Sequence, residues 1–352
     1  MGNEDTKVYL GLDIGFGDVK IVAAFPTDGS EPPEVQRHHG RLFTKFPTAI
    51  ASAKEGIIGD LGEAEEEYLF NGRKYLVGPP ALQCREVFST RDITFLITYA
   101  PLLVYRAIEH LSEKRAIPLV DLLNGKIRLC LGVPLAYFHE RRTELLKALE
   151  DCRVSGNRIS FESVDIRAQG QGILFDFMLD NSGTPLPGRL NFNILIVDIG
   201  FNTVDILGVI QGRPSREWSD MLEGGGIVRI SGQIQSHLTK NFGFSLPEQA
   251  VKDVLQKESI SLYGVEKDLS GIIRTVSQGY ADWLLQEISS RWDGFLKRAD
   301  RMIVAGGGAI YVRHHFLEKY PRGFLHLPER PEYANAFGFY KYLRAVRDDQ
   351  SG

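Results

Sequence analysis

Leu12-Asp13-Ile14-Gly15-Phe16-Gly17-Asp18-Val19-Lys20-Ile21 is the stretch on which the reading of this chain turns. Before it, Val8, Leu10, Leu12 and Ile14 alternate with other residues, which predicts a buried strand. The chain then turns at Gly15 and Gly17 and resumes as a second strand from Val19 to Ala24. Glycine at such a tip is expected to permit positive φ and to let backbone amides approach a ligand closely. A row of turn N–H groups makes a nest for anions, and Lys20 adds a point charge for phosphate. Asp13, ending an apolar strand, binds phosphate poorly itself but suits a hydrated Mg2+ that does bind it. An ordinary two-strand turn with a solvated lysine fits this single stretch equally well.

A second copy changes that balance. Asn193-Ile194-Leu195-Ile196-Val197-Asp198-Ile199-Gly200-Phe201-Asn202-Thr203-Val204-Asp205-Ile206 repeats the pattern D-I-G-F-x-x-V-[K/D]-I. Asp198 answers Asp13, Gly200 answers Gly15 and Phe201 answers Phe16. Two such hairpins far apart in sequence predict two similar half-molecules, each offering a phosphate-gripping tip. A third piece is a β-branched strand, Met302-Ile303-Val304-Ala305, that runs into Gly306, Gly307, Gly308 and Ala309 and then a helix. Bare backbone beside a helix N-terminus admits a ribose or a flat ring.

Taken in order, Asp13-Ile14-Gly15 with Lys20, Asp198-Ile199-Gly200 with Thr203 and Asp205, and Val304 to Ala309 resemble the phosphate-one, phosphate-two and adenosine loops of the actin, Hsp70 and sugar-kinase superfamily. Within it the chain is similar to the ParM/StbA group of prokaryotic actin-like ATPases, the filament-forming motors of plasmid segregation. That similarity rests on the compact length, Phe46-Pro47, Tyr75-Leu76-Val77-Gly78 followed by Ala81, Gly132-Val133-Pro134-Leu135, and the ending Glu332-Tyr333-Ala334-Asn335-Ala336-Phe337-Gly338-Phe339.

The resemblance implies an α/β, actin-like fold of two RNase H-like halves with a nucleotide cleft between them. The first half would be residues 1–185, with a C-terminal helix in 332–352 packing back on it, and the second 186–331. ATP would be bound with Mg2+, GTP being left open. The amides of Gly15, Phe16 and Gly17 and of Gly200, Phe201, Asn202 and Thr203 would hold phosphates, with Lys20 on the β-phosphate side. Asp13 and Asp198 would hold Mg2+ through water. Gln169 would position the attacking water with Asp198 assisting, Gln171 being the alternate; ParM proteins often carry Glu here, so Gln departs toward actin itself. Glu223 would meet the ribose, Gly306, Gly307, Gly308 and Ala309 the adenosine, and Lys252 the base. The Phe201 ring would have to pack away from the phosphates. Loss of the γ-phosphate would let the halves rotate apart, so hydrolysis would time filament disassembly. The implied partners are further copies of the chain and a DNA-bound adaptor. A small-molecule kinase of the same fold and a non-polymerising ATP-dependent switch are the alternatives; the chain is short for a sugar kinase and carries no Hsp70-like peptide domain.

The bulk properties agree with this class. A chain of 352 residues with 43% apolar content suits two cored domains. The formal charge is 41 minus 45, or −4, with no long basic run, which argues against direct nucleic-acid binding. No apolar run is long enough to span a membrane, and the polar start MGNEDTK resembles no signal peptide, so a cytoplasmic place is expected. Cys84, Cys130 and Cys152 are widely spaced and predict free thiols. The adjacent pairs His38-His39 and His314-His315 point to different faces, not to one metal.

Further along, residues 27–33 read as a polar turn, and residues 41–53 as a strand or strand pair. Two short strands flank Asn71-Gly72, a hairpin signal. Leu96, Leu102, Leu103, Ile108 and Leu111 predict a helix over 95–115, followed by a buried strand over 127–132 and a helix over 140–149. Two or three strands are expected over 154–180 around the polar run 167–172. A turn at 181–187 marks the boundary between halves. Helices are expected from Ile227 to about Thr239 and over 247–257, 269–299, 309–319 and 332–346.

Overall fold

A computed structural model describes residues 7–25, 37–38, 41–53, 66–150 and 152–349. The polar turn expected over 27–33 and His39 lie outside the described residues. The chain divides into two units, Met1–Leu186 with Asn335–Gly352, and Pro187–Ala334.

The first unit is built on a six-stranded sheet in the order Ser160–Ala168, Asn124–Val133, Val8–Ile14, Asp18–Ala24, Arg41–Pro47, Arg37–His38. Val8–Ile14 and Asp18–Ala24 form an antiparallel hairpin whose register sets Asp13 opposite Lys20. The strands Asn124–Val133 and Ser160–Ala168 add in parallel. Every residue of Val8–Ile14 is buried, as a strand covered on both faces requires. The helix Ile93–Arg115 begins at Asp92, whose carboxylate accepts from the Thr94 amide at 2.8 Å, and buries Leu96, Leu102, Leu103, Ile108 and Leu111. A small separate sheet joins Ile50–Ser52, Arg73–Val77 and Tyr68–Phe70. Its hairpin turns at Asn71 (φ 48°) and Gly72 (φ 74°), the paired left-handed residues of a type I′ turn.

One expectation fails in this unit. The polar run at 167–172 is followed by the helix Gln171–Met178, where a strand was expected. Its apolar run is too short to separate strand from buried helix by pattern alone.

The last helix, Ala334–Asp349, runs against the sheet and against Gln171–Met178 through positions where a side chain would not fit. A Cβ on Gly11 would stand 2.2 Å from the Ala336 carbonyl oxygen, and one on Gly132 would meet the Phe339 ring at 2.7 Å. Lys341 is buried here. Its ammonium pairs with Asp176 at 2.8 Å and donates to the Asp176 and Leu179 carbonyls at 2.7 and 3.0 Å. A cation thereby closes the C-terminal end of Gln171–Met178, where carbonyls are left over and the dipole is negative.

The second unit repeats the sheet plan. Its order is Arg213–Leu222, Val204–Ile210, Ile194–Ile199, Arg301–Ala305, Leu325–His326. As in the first unit, an antiparallel run (here three strands, there four) is followed by two parallel strands, and Asp198 stands opposite Asp205 as Asp13 stands opposite Lys20. The long helix Ser270–Leu296 buries Ile273, Val276, Tyr280, Leu284, Ile288, Trp292 and Phe295, while Ile272, Trp283 and Leu296 are half-buried.

Candidate functional site

Each hairpin tip is held by its carbonyls. In the first unit the Gly15 carbonyl accepts from the Thr48 hydroxyl at 2.7 Å, the Phe16 carbonyl from the Thr90 hydroxyl at 2.7 Å, and the Gly17 carbonyl from the Thr48 amide at 3.0 Å. In the second unit the corresponding oxygens of Gly200, Phe201 and Asn202 accept from the amides of Ile227, Val228 and Gly226 at 3.1, 2.8 and 3.2 Å. A trans peptide sets the C=O of one residue and the N–H of the next in opposite directions, and the described residues hold no cis peptide. Fixing three consecutive carbonyls therefore fixes the directions of three consecutive amides: Phe16, Gly17 and Asp18 in one turn, and Phe201, Asn202 and Thr203 in the other.

This geometry corrects two expectations. Gly15 and Gly200 do not take a left-handed φ. Their amides are spent inside the turns, on Asp18 at 3.1 Å and Thr203 at 2.9 Å. Their small size answers crowding instead: a Cβ on Gly15 would lie 2.9 Å from the Lys20 nitrogen, and one on Gly200 would lie 3.1 Å from the Thr203 carbonyl.

Around the first tip the structure gathers Asp13, Lys20 and Gln169. Asp13 is 4% exposed. One carboxylate oxygen accepts from Lys20 at 3.2 Å and the other from the Gln169 amide nitrogen at 2.7 Å. Gln169 is also buried, and its own N–H donates to Val133 at 2.7 Å. The Asn335 side chain takes the next amide, of Gly170, at 2.9 Å. Gln171 is engaged differently: its side-chain oxygen accepts from the Ala168 amide at 3.2 Å, a local contact at the head of its own helix.

Around the second tip stand Asp198, Thr203, Asp205 and the glycine run. Asp198 and Asp205, 6% and 3% exposed, face each other across the hairpin. Opposite residues of an antiparallel pair share a face, with Cβ atoms about 5 Å apart. Carboxylate oxygens are the ligand type that a hydrated divalent ion takes, so Asp198 and Asp205 fit such an ion chemically. The Thr203 hydroxyl donates to Asp205 at 3.3 Å. Asp205, which is not among the expected site residues, occupies the register position of Lys20 in the repeat.

Gly306 does take a left-handed φ, 86°, and a Cβ there would collide with Asp198 at 2.5 Å. Gly308 donates to the Ile199 carbonyl at 2.8 Å and precedes the helix Ala309–Lys319, so this loop lies directly on the second hairpin. Gly307 faces open space. The Phe201 ring is 8% exposed, with the Lys252 ammonium 5.8 Å from its centre. Glu223 is exposed at the start of the glycine turn. Behind that turn the buried Tyr280 hydroxyl donates to Gly225 at 2.9 Å, and burial pushes the phenol pKa up.

The three cysteines are free thiols. Among the described residues the one cluster with metal-ligand spacing is Glu66, Glu109 and Glu113, remote in sequence from both tips and containing no histidine. No described helix is long and apolar enough to cross a membrane.

Two family profiles match the chain. One, described as actin-like proteins, N-terminal domain, covers residues 11–172; the other, archaeal actin homologue MreB-like, C-terminal, covers residues 196–318. An archaeal actin homolog from Thermoplasma volcanium is 24% identical over 356 residues, 94% of this chain and 97% of the relative. Among solved structures, a 15-stranded ParM filament from Clostridium botulinum aligns with a TM-score of 0.71 at 22% identity, over 96% of this chain and 99% of the other. An archaeal actin homolog in complex with ADP aligns with a TM-score of 0.68 at 20% identity, over 97% and 99%. With both hairpins in the same sheet plan, an actin-like profile match on each half and solved actin homologs aligning over nearly the whole length, the chain has an actin-like fold.

Proposed function

We propose that this chain is a nucleotide-dependent, filament-forming ATPase. The observation that carries the reading is the duplicated tip: two glycine turns whose three carbonyls are fixed from outside, each beside a buried aspartate. Fixed amides and a lysine suit the charge that spreads over phosphate oxygens during phosphoryl transfer, where catalysis rests on positioning and electrostatics. The amides of Phe16, Gly17, Asp18, Phe201, Asn202 and Thr203 are the phosphate donors in this account. Mg2+, held through its waters by Asp13 and Asp198, would offset phosphate charge. Gln169 orients the attacking water, since an amide can both accept from it and donate to it. The Gly306–Ala309 loop takes the nucleoside.

Polymerisation is the part supported by likeness to a ParM filament. Its timing by hydrolysis and a role in moving DNA through a bound adaptor rest only on the resemblance of the sequence motifs to the ParM/StbA group.

Lys20→Ala tests the phosphate reading directly. Removing a charge-assisted contact worth about 1.5–3 kcal/mol should weaken ATP binding roughly ten- to hundredfold. Equilibrium titration with a fluorescent ATP analogue, alongside a melting curve to confirm folding, reads the effect. Unchanged affinity in a folded variant would mean that the first turn does not bind phosphate.

A further inference from the structure

Both tips have the same three carbonyls occupied, but by different means. In the second unit the donors are backbone amides of one segment, Gly226 to Val228. In the first unit two of the three donors are hydroxyls, brought by Thr48 and Thr90 from places far apart in sequence. Both threonines are fully buried. Thr48 follows the strand Arg41–Pro47 and reaches two tip carbonyls, one with its side chain and one with its amide. Thr90 lies just before the helix Ile93–Arg115.

A buried hydroxyl must find an acceptor wherever it is, and any acceptor would satisfy it. That two unrelated threonines reproduce, carbonyl for carbonyl, what backbone amides do in the other unit points beyond satisfaction, to a common requirement on the direction of the tip amides.

Resting on the phosphate-binding reading above, we propose that Thr48 and Thr90 are positioning residues for the nucleotide's phosphates. They touch no ligand; each holds one peptide plane of the Gly15–Gly17 turn so that the following amide, of Phe16 for Thr48 and of Gly17 for Thr90, faces the phosphate oxygens. Without the hydroxyl the plane can rotate and the donor is lost on average.

The test compares Thr48→Val, Thr90→Val and Thr48→Ser with the parent. Valine keeps the shape and removes the donor; serine keeps the donor. The probes are ATP, and adenosine, which carries no phosphate. Loss of one aimed hydrogen bond should weaken ATP binding about tenfold in each valine variant, while adenosine binding stays at the parent value and Thr48→Ser retains parent ATP affinity. A merely structural role would weaken both ligands together, and that result overturns the proposal, as does unchanged ATP affinity in folded valine variants. Should Thr48→Val fail to fold, Thr90→Val carries the same comparison. A parent protein that binds adenosine and ATP equally overturns the phosphate reading and this inference with it; a parent that prefers ATP, with variants that prefer it as strongly, overturns the inference alone.

Discussion

Gln169→Ala should slow ATP hydrolysis about a hundredfold while leaving ATP affinity within roughly threefold of the parent, the signature of a lost positioning group. The size follows from how firmly the side chain is placed. Its backbone is tied to Val133 at 2.7 Å, its amide nitrogen to Asp13 at 2.7 Å, and the next residue to Asn335 at 2.9 Å. In the proposed mechanism a group held this way would orient water without reorganising. The contact with Asp13 also explains why an amide suits this site: a glutamate there would set two buried carboxylates together unless one were protonated. Single-turnover hydrolysis at saturating ATP separates the chemical step from binding. Equal rates in parent and variant would remove Gln169 from the mechanism. If hydrolysis times disassembly, filaments of the variant should also outlive those of the parent.

Gly338→Ala should destabilise the first unit strongly. A Cβ at that position would stand 1.6 Å from the Gly172 carbonyl oxygen and 2.4 Å from its carbon, with the Asp176 amide at 2.9 Å. None of these is a flexible side chain, so two helices must separate. Overpacking typically costs about 1–3 kcal/mol and more when backbone must move; about 3 kcal/mol or above corresponds to a melting point lower by roughly 10 °C. Gly279→Ala is the control. It lies in the helix Ser270–Leu296 with nothing within 4 Å of an added Cβ, so the gain in helix propensity, up to about 1 kcal/mol, should raise the melting point slightly. Thermal melting followed by circular dichroism compares the two. A Gly338→Ala protein as stable as the parent would mean that the last helix does not lie against Gly172.

Much of this was legible because it is local. Alternating apolar residues into a glycine turn specify a hairpin, and the repeat of Asp13-Ile14-Gly15-Phe16 at Asp198-Ile199-Gly200-Phe201 specifies two sheets of one plan. Asn71-Gly72 specified its own turn, and the stripe through Leu96 and Leu111 its helix. The run Ile173-Leu174-Phe175 could not separate strand from helix, because a short, buried segment shows neither period. Other features depend on contacts between distant residues. Nothing in the pattern around Thr48 or Thr90 marks them as donors to Gly15 and Phe16, and nothing in Gly172 and Gly338 announces that their backbones touch. The sequence favours Gln169 with Gln171 as the alternate; the structure distinguishes them because one reaches Asp13 and the other turns back to Ala168. The amides of Gly15 and Gly200, expected to face a ligand, are spent inside their own turns on Asp18 and Thr203, a closure that the local pattern does not reveal.

The account stands on nucleotide hydrolysis coupled to self-assembly, and one experiment addresses both. Phosphate release and sedimentation are followed together across a protein concentration series with Mg·ATP. The account predicts that hydrolysis rises sharply above a critical concentration, with protein entering the pellet at that same concentration and not in the absence of nucleotide. Hydrolysis simply proportional to protein, with nothing sedimenting at any concentration, would contradict it.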